Sequence, residues 1–270
     1  MSRLIRIFKR MSAFVYRYRK YPLFIPVYGI VYFMKGFSLH ARFYTDEELL
    51  SELAKGKSIV RLGDGDIINI QFDMDNCYHR SDKRLRHMYK EIIETYNTKS
   101  PYILSVPIFM NTTNTELKAL GPRKLEWGIP MKIMFMLQFN RSMPYMDAHN
   151  FYYDNYLEQT IAPLFKDKQL IVITNRRVID KQKNNPRLPW NNIIYIEAPE
   201  INAMDAYESI KQQLDEIFSG KDKKKFVMFV AMGPVGKYIV YEYAHRGYQG
   251  IDIGKGVETM FTSESIQYLI

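Results

Sequence analysis

Ser58-Ile59-Val60-Arg61-Leu62-Gly63-Asp64-Gly65-Asp66 joins a short apolar run to a glycine-rich acidic turn. The run over 58–62 has the length and branching of a buried strand. Two carboxylates, Asp64 and Asp66, follow where that strand ends, with a glycine before each. Carboxylates spaced by one residue can reach one divalent cation, and glycine lets the backbone come close to it. A β-hairpin is the competing reading. Asp-Gly is a favoured turn pair, and Ile67-Ile68-Asn69-Ile70 offers a returning strand.

Working outward, Thr45 can cap a helix over 45–54 whose first turn carries Asp46, Glu47 and Glu48. Periodicity predicts a helix over 82–96, and residues 102–106 form a second strand stopped by Pro107. The apolar run 132–137 fits helix or strand, and 152–164 reads as helix. Strands follow over 169–174, 192–196, 226–231 and 250–253, with helices over 202–218 and 235–246 between them. Residues 181–189, polar and with two prolines, read as an exposed loop. Short apolar strands alternating with helices predict an α/β fold: a Rossmann-like, mostly parallel sheet with helices on both faces. No internal repeat interrupts 45–270, which reads as one domain preceded by an arm over 1–44.

In such sheets ligands bind beyond the carboxyl ends of the strands. The turn after 226–231 reads Met232-Gly233-Pro234-Val235-Gly236-Lys237. A glycine turn between strand and helix presents free N–H groups at a positive helix end, and Lys237 lies within reach of an anion there. Ordinary strand-to-helix punctuation is the alternative. Asn202, after the strand over 192–196, either caps the next helix or hydrogen-bonds a base or ribose. Asp73 and Asp75 repeat the carboxylate spacing without glycines and read as a solvated loop. Phe151-Tyr152-Tyr153 offers rings for stacking on sugars or for core packing. His40, His79, His87, His149 and His245 show no metal-ligand spacing, and Cys77 reads as a small buried residue.

Charge separates the arm from the rest. Nine of the 38 basic residues precede the first acid, Asp46, which leaves 29 basic against 29 acidic side chains thereafter. The pI of 9.3 therefore belongs to the arm. A broadly basic surface of the kind nucleic-acid binders show is therefore not implied. In the arm, Leu4, Ile7, Phe8, Met11, Phe14, Val15 and Tyr18 fall on one helical face, and Arg3, Arg6, Arg10 and Arg17 on another. This basic amphipathic pattern suits an anionic membrane surface through residues 1–20. The apolar stretch 21–34 is shorter than the roughly 20 residues a crossing requires and contains two prolines. It either covers the domain's own core or mediates association. A single cysteine excludes a disulfide framework within the chain.

Together these motifs resemble the GT-D type glycosyltransferases, bacterial enzymes of surface-glycan and glycoprotein assembly. The resemblance rests on Arg61-Leu62-Gly63-Asp64-Gly65-Asp66, on Gly233-Pro234, and on Gly247-Tyr248-Gln249 followed by Asp252-Ile253-Gly254. Asp66 stands where the family's DXE motif has glutamate, one methylene longer with the same charge. The resemblance implies a nucleoside-diphosphate sugar donor, commonly UDP-glucose, and Mn²⁺ or Mg²⁺ held by Asp64 and Asp66. It implies donor contacts from Arg61, Gly63, Gly65, Asn202, Gly233, Pro234, Lys237 and Asp252. A glycan, glycolipid or glycoprotein acceptor and a cytoplasmic place at the inner face of the cell membrane follow as expectations. Asp252 suits a general base by position alone, and a structural role equally well. Two other readings stay open: a metal-dependent phosphoester hydrolase, and a non-catalytic nucleotide-binding protein at the membrane.

Overall fold

The computed structural model describes residues 22–63, 65–66, 75, 79–80, 82–152, 156–184, 190, 192–254 and 256–257. The amphipathic helix read over 1–20, Asp64, the returning strand over 67–70, Asp73, Cys77 and Tyr153 lie outside these residues.

Among the described residues seven strands form one sheet: β1 (Ser58–Arg61), β2 (Tyr102–Val106), β3 (Met146–Asp147), β4 (Gln169–Thr174), β5 (Ile193–Glu197), β6 (Phe226–Val230) and β7 (Gln249–Asp252). Their order is β3-β2-β1-β7-β6-β4-β5, and every pairing is parallel. The first and last strands are thus neighbours at the centre, with Ile59 opposite Ile251. Both edges of β1 are taken by parallel partners, β2 and β7, and Gly65 and Asp66 are helical. A hairpin return from β1 is therefore excluded.

Successive strand side chains point to opposite faces, so a buried parallel strand feeds two cores. Met228 and Val230 face one, with α3 (Lys83–Glu94), α7 (Tyr207–Phe218) and α8 (Gly236–His245). Val227 and Phe229 face the other, with α2 (Asp46–Ala54) and Val178 of α6 (Arg176–Asn184). Thr45 caps α2 through a reciprocal capping box with Glu48.

The apolar run 132–137 belongs to a helix, α5 (Pro122–Gln138). Inside it, Lys132 is fully buried and donates to Phe37 O, Thr112 O and Asn114 Oδ1, which ties Phe37 to the domain. Burial pulls its pKa down to about 8. Phe24, Tyr28, Val31, Leu39 and Ala41, from residues read as arm, join the same core. Phe24, Tyr28 and Val31 lie on α1 (Phe24–Phe33).

Two local expectations are corrected. Residues 181–184 are helical, as the end of α6. Asn175 Oδ1 accepts from Val178 N (3.1 Å) and starts that helix, and Val178, Ile179 and Gln182 turn inward. The described part of 152–164 is no continuous α-helix. A π-turn over Leu157–Ile161 passes into a 3₁₀ turn over Ala162–Phe165, with Pro163 early in that second turn.

Candidate functional site

Because β1 and β7 are adjacent, the turns that leave them meet. Gly63 N–H donates to Asp66 Oδ2 (3.0 Å), closing the turn after β1 over itself. The same oxygen lies 3.1 Å from Lys237 Nζ, which reaches in from the first turn of α8. Lys237 Nζ also lies 3.6 Å from Asp252 Oδ2, at the end of β7, and donates to Gly233 O (3.3 Å). One ammonium thus joins the carboxyl ends of β1, β6 and β7. The sequence presents Lys237 toward an anion at the helix end, whereas its side chain turns inward and is only 3% exposed. Two buried acids hold it there; a buried charge is tolerated when it is paired.

Asp252 is wholly buried. Its Oδ1 accepts from Gly254 N (3.1 Å), while Oδ2 completes no hydrogen bond. Burial pushes its pKa up, Lys237 and Arg61 pull it down, and Asp66 adds to the rise. A general base must reach the proton it takes, and this carboxylate faces Lys237 and the backbone. Its geometry is that of a structural anchor.

Arg61 crosses in the other direction. Its Nε donates to Ala148 O (2.7 Å), just past β3, and Nη2 donates to the Tyr152 hydroxyl. The guanidinium carbon stands 4.8 Å from the centre of the Tyr152 ring. Gly254 lets this arginine pass. Its φ is +48°, and a Cβ there would lie 2.5 Å from Arg61 Nη1. Of the aromatic triplet, Phe151 packs in the core and Tyr152 serves Arg61.

The remaining expected residues sit close by. Gly233 has φ +62° and opens a short 3₁₀ turn, Gly233–Val235, in which Pro234 is buried. That turn packs on a second one, Ala203–Ala206. Asn202 precedes the second turn with φ +53° and makes no side-chain cap. Its Oδ1 instead accepts from Arg80 N (3.2 Å), so the left-handed backbone aims the amide away from the helix that its residue type would cap. Gly65 lies in the turn beside Asp66.

Two features escape the sequence reading. Asp147 Oδ1, at the end of β3, accepts from Ile108 N and His149 N, and His149 Nδ1 lies 3.4 Å from it. Tyr89, on the inward stripe of α3, places a wholly buried hydroxyl close to Asp66, in a contact that falls short of a well-formed hydrogen bond. Burial first, and Asp66 second, push its pKa well above the usual tyrosine value. An unpartnered buried hydroxyl costs about 1–3 kcal/mol. Tyr89→Phe is therefore expected to stabilise the fold by about 1 kcal/mol, read as a higher urea midpoint with an unchanged slope. A fall of that size would mean that the hydroxyl has a partner.

Among the described residues no three His, Cys, Asp or Glu side chains gather as a metal cage. Asp66 Oδ2 is committed to Gly63 and Lys237, and the buried Tyr89 hydroxyl lies beside the same carboxylate. One or two carboxylates completed by water and substrate phosphates is the usual protein share for Mg²⁺.

Comparison with known proteins bears on the family and the fold. The model of the glycosyltransferase GT-D fold matches residues 59–259. A probable glycosyl transferase of Streptococcus gordonii is 23% identical over 218 residues, which make up 77% of this chain and 31% of that protein. The chain thus spans about a third of that relative. Among solved structures, a new glycosyltransferase of Streptococcus sanguinis, of domain of unknown function 1792, superposes with a TM-score of 0.66 at 19% identity. The match covers 81% of this chain and 83% of that one. A second structure, described as that domain with a distinct glycosyltransferase fold, gives a TM-score of 0.65 at 19% identity, over 80% and 79% of the two chains.

Proposed function

Because the chain belongs to the glycosyltransferase GT-D fold family, we propose that it moves a sugar from a nucleoside-diphosphate sugar to an acceptor hydroxyl. The donor is UDP-linked, UDP-glucose being the first to test. The acceptor is a surface polysaccharide, glycolipid or glycoprotein. The observation that carries this reading is the meeting of the Arg61–Asp66 turn, Lys237 and Asp252 at the centre of the sheet's carboxyl edge.

In the reaction the acceptor oxygen forms a bond to the anomeric carbon as the bond to the diphosphate breaks. The nucleoside diphosphate leaves with the electron pair, and the acceptor proton passes to a base. Mn²⁺ or Mg²⁺, held by Asp64 and Asp66 Oδ1, would neutralise charge on the departing diphosphate. The protein's part is to hold that turn ready. Gly63 N–H and Lys237 fix one oxygen of Asp66, so the other is aimed without reorganisation. Asp252 fixes Lys237 in turn. Arg61, tied to Ala148 O and Tyr152, sets the exit of β1. The Gly233 N–H, in the turn before α8, and Asn202 would face the nucleotide of the donor.

A screen of sugar nucleotides with Mn²⁺, read as released nucleoside diphosphate, checks this. Release from a UDP-sugar that stops on chelation and resumes with added Mn²⁺ is the expected result. Turnover of simple phosphate esters alone would mark a hydrolase and overturn the proposal. The reading extends to location: the basic residues of 1–20 hold the enzyme against an anionic surface, at the inner face of the cell membrane, where such an acceptor would be met.

A further inference from the structure

The helix α1 has two apolar sides. Phe24, Tyr28 and Val31 face the core. The opposite side exposes Leu23 (83%), Ile30 (65%) and Phe33 (80%), with Val27 and Met34 half-exposed beside them. Positions 23, 27, 30 and 34 recur at helical spacing, so they form one continuous stripe. The helix carries no charged residue. It does not float: Asn114, the first residue of α4 (Asn114–Ala119), donates through Nδ2 to Val31 O (2.6 Å) and Met34 O (3.0 Å). The fold itself therefore presents this stripe to the outside.

Large apolar side chains gathered on one surface mark an interaction site. We infer that the outer face of α1 is a wedge that enters the interfacial layer of an anionic bilayer, beside the basic residues that precede it. The inference rests on the location reading above and adds to it a second, apolar contact. Its ten residues span about 15 Å, half of a hydrocarbon core of about 30 Å, so the helix lies in the membrane plane. No helix among the described residues is long and apolar enough to cross. Charge selects the partner. Residues 1–45 hold nine basic side chains and no acid. A second copy seated on α1 would bring two such segments together, whereas an anionic leaflet neutralises them. Tyr32 and Phe33 supply aromatic side chains suited to the headgroup level.

Full-length protein is sedimented with vesicles of phosphatidylglycerol and phosphatidylcholine, and with phosphatidylcholine alone. The comparison is with the double variant Ile30→Ser/Phe33→Ser. Both side chains point outward, so the variant keeps the melting temperature. Wild type is expected to bind the anionic vesicles and to retain measurable binding in 1 M salt, where screening acts within about 3 Å. The double variant is expected to bind at least tenfold more weakly and to lose what remains in salt. Equal binding by variant and wild type, all of it removed by salt, overturns the role of α1 and leaves the basic arm as the anchor. No binding by wild type overturns both. A dimer in sedimentation that the double variant turns to monomer, without vesicle binding, assigns the stripe to a second copy instead.

Discussion

Lys237→Met is expected to cost about 3–5 kcal/mol of stability, the usual penalty for removing one partner of a buried ion pair. In a chain of this size that amounts to a fall of roughly 6–20 °C in melting temperature. The reason is geometric. Lys237 is 3% exposed and holds Asp66 at 3.1 Å and Asp252 at 3.6 Å. Methionine fills the space and leaves two carboxylates facing one another with no cation between them. Asp252 then keeps only the Gly254 N–H and the weaker influence of Arg61. The pH dependence follows in sign. Burial already raises the pKa of Asp252, and Lys237 is the first influence that lowers it. Without Lys237 the folded state binds that proton more firmly than the unfolded chain does. The deficit of the variant relative to wild type should therefore be largest at neutral pH and shrink as pH falls through the folded pKa of Asp252. Adding Asp252→Asn to the variant should recover part of the loss, because the pair is coupled. A wild-type melting temperature in Lys237→Met at pH 7 would show that the ammonium does not bear on the fold.

The strand and the turn around Arg61 were legible because they are local. Five residues of strand pattern end in Gly63, and a glycine-flanked acid pair follows whatever the rest of the chain does. The alternation of strand and helix likewise announced a parallel sheet, since each strand is buried on both sides. What lay beyond reading was direction. A lysine after a glycine turn suits an anion outside the helix end and a carboxylate inside it equally well. Only the adjacency of β1 and β7, strands far apart in sequence, decides for the inside.

Asn202 teaches the same point on a smaller scale. Its residue type favours a helix cap, but a backbone φ of +53° hands its oxygen to Arg80. The polar stretch over 181–184 differs for another reason: its own composition and the prolines beyond it suit a loop, but the Asn175 cap starts α6 upstream and the helix carries through it. Tyr89 and Asp147 carried no signal, because one hydroxyl on an inward stripe and one acid at a short strand end become meaningful only through their neighbours.

Asp66→Ala is expected to lower turnover of the sugar nucleotide by roughly 10²–10³-fold, the range for removing one preorganised electrostatic group. Two effects join in that loss. The oxygen proposed to face the cation disappears, and Gly63 N–H and Lys237 lose the oxygen they fix. Asp66→Glu separates them. Glutamate keeps the charge and the oxygen ligands, so a variant with at least a tenth of wild-type turnover is expected. Its extra methylene shifts the carboxylate, and the dependence on Mn²⁺ concentration should move with it. Asp66→Asn preserves the size but gives up the charge, and should lose stability and activity together. If Asp66→Ala turned over donor at the wild-type rate, Asp66 would be a partner for Lys237 and nothing more. If Asp66→Glu were inactive yet stable, the shorter side chain would be the form to which this chain's site is fitted. The Mn²⁺ titration tells the two cases apart, because an anchoring role alone leaves it unchanged.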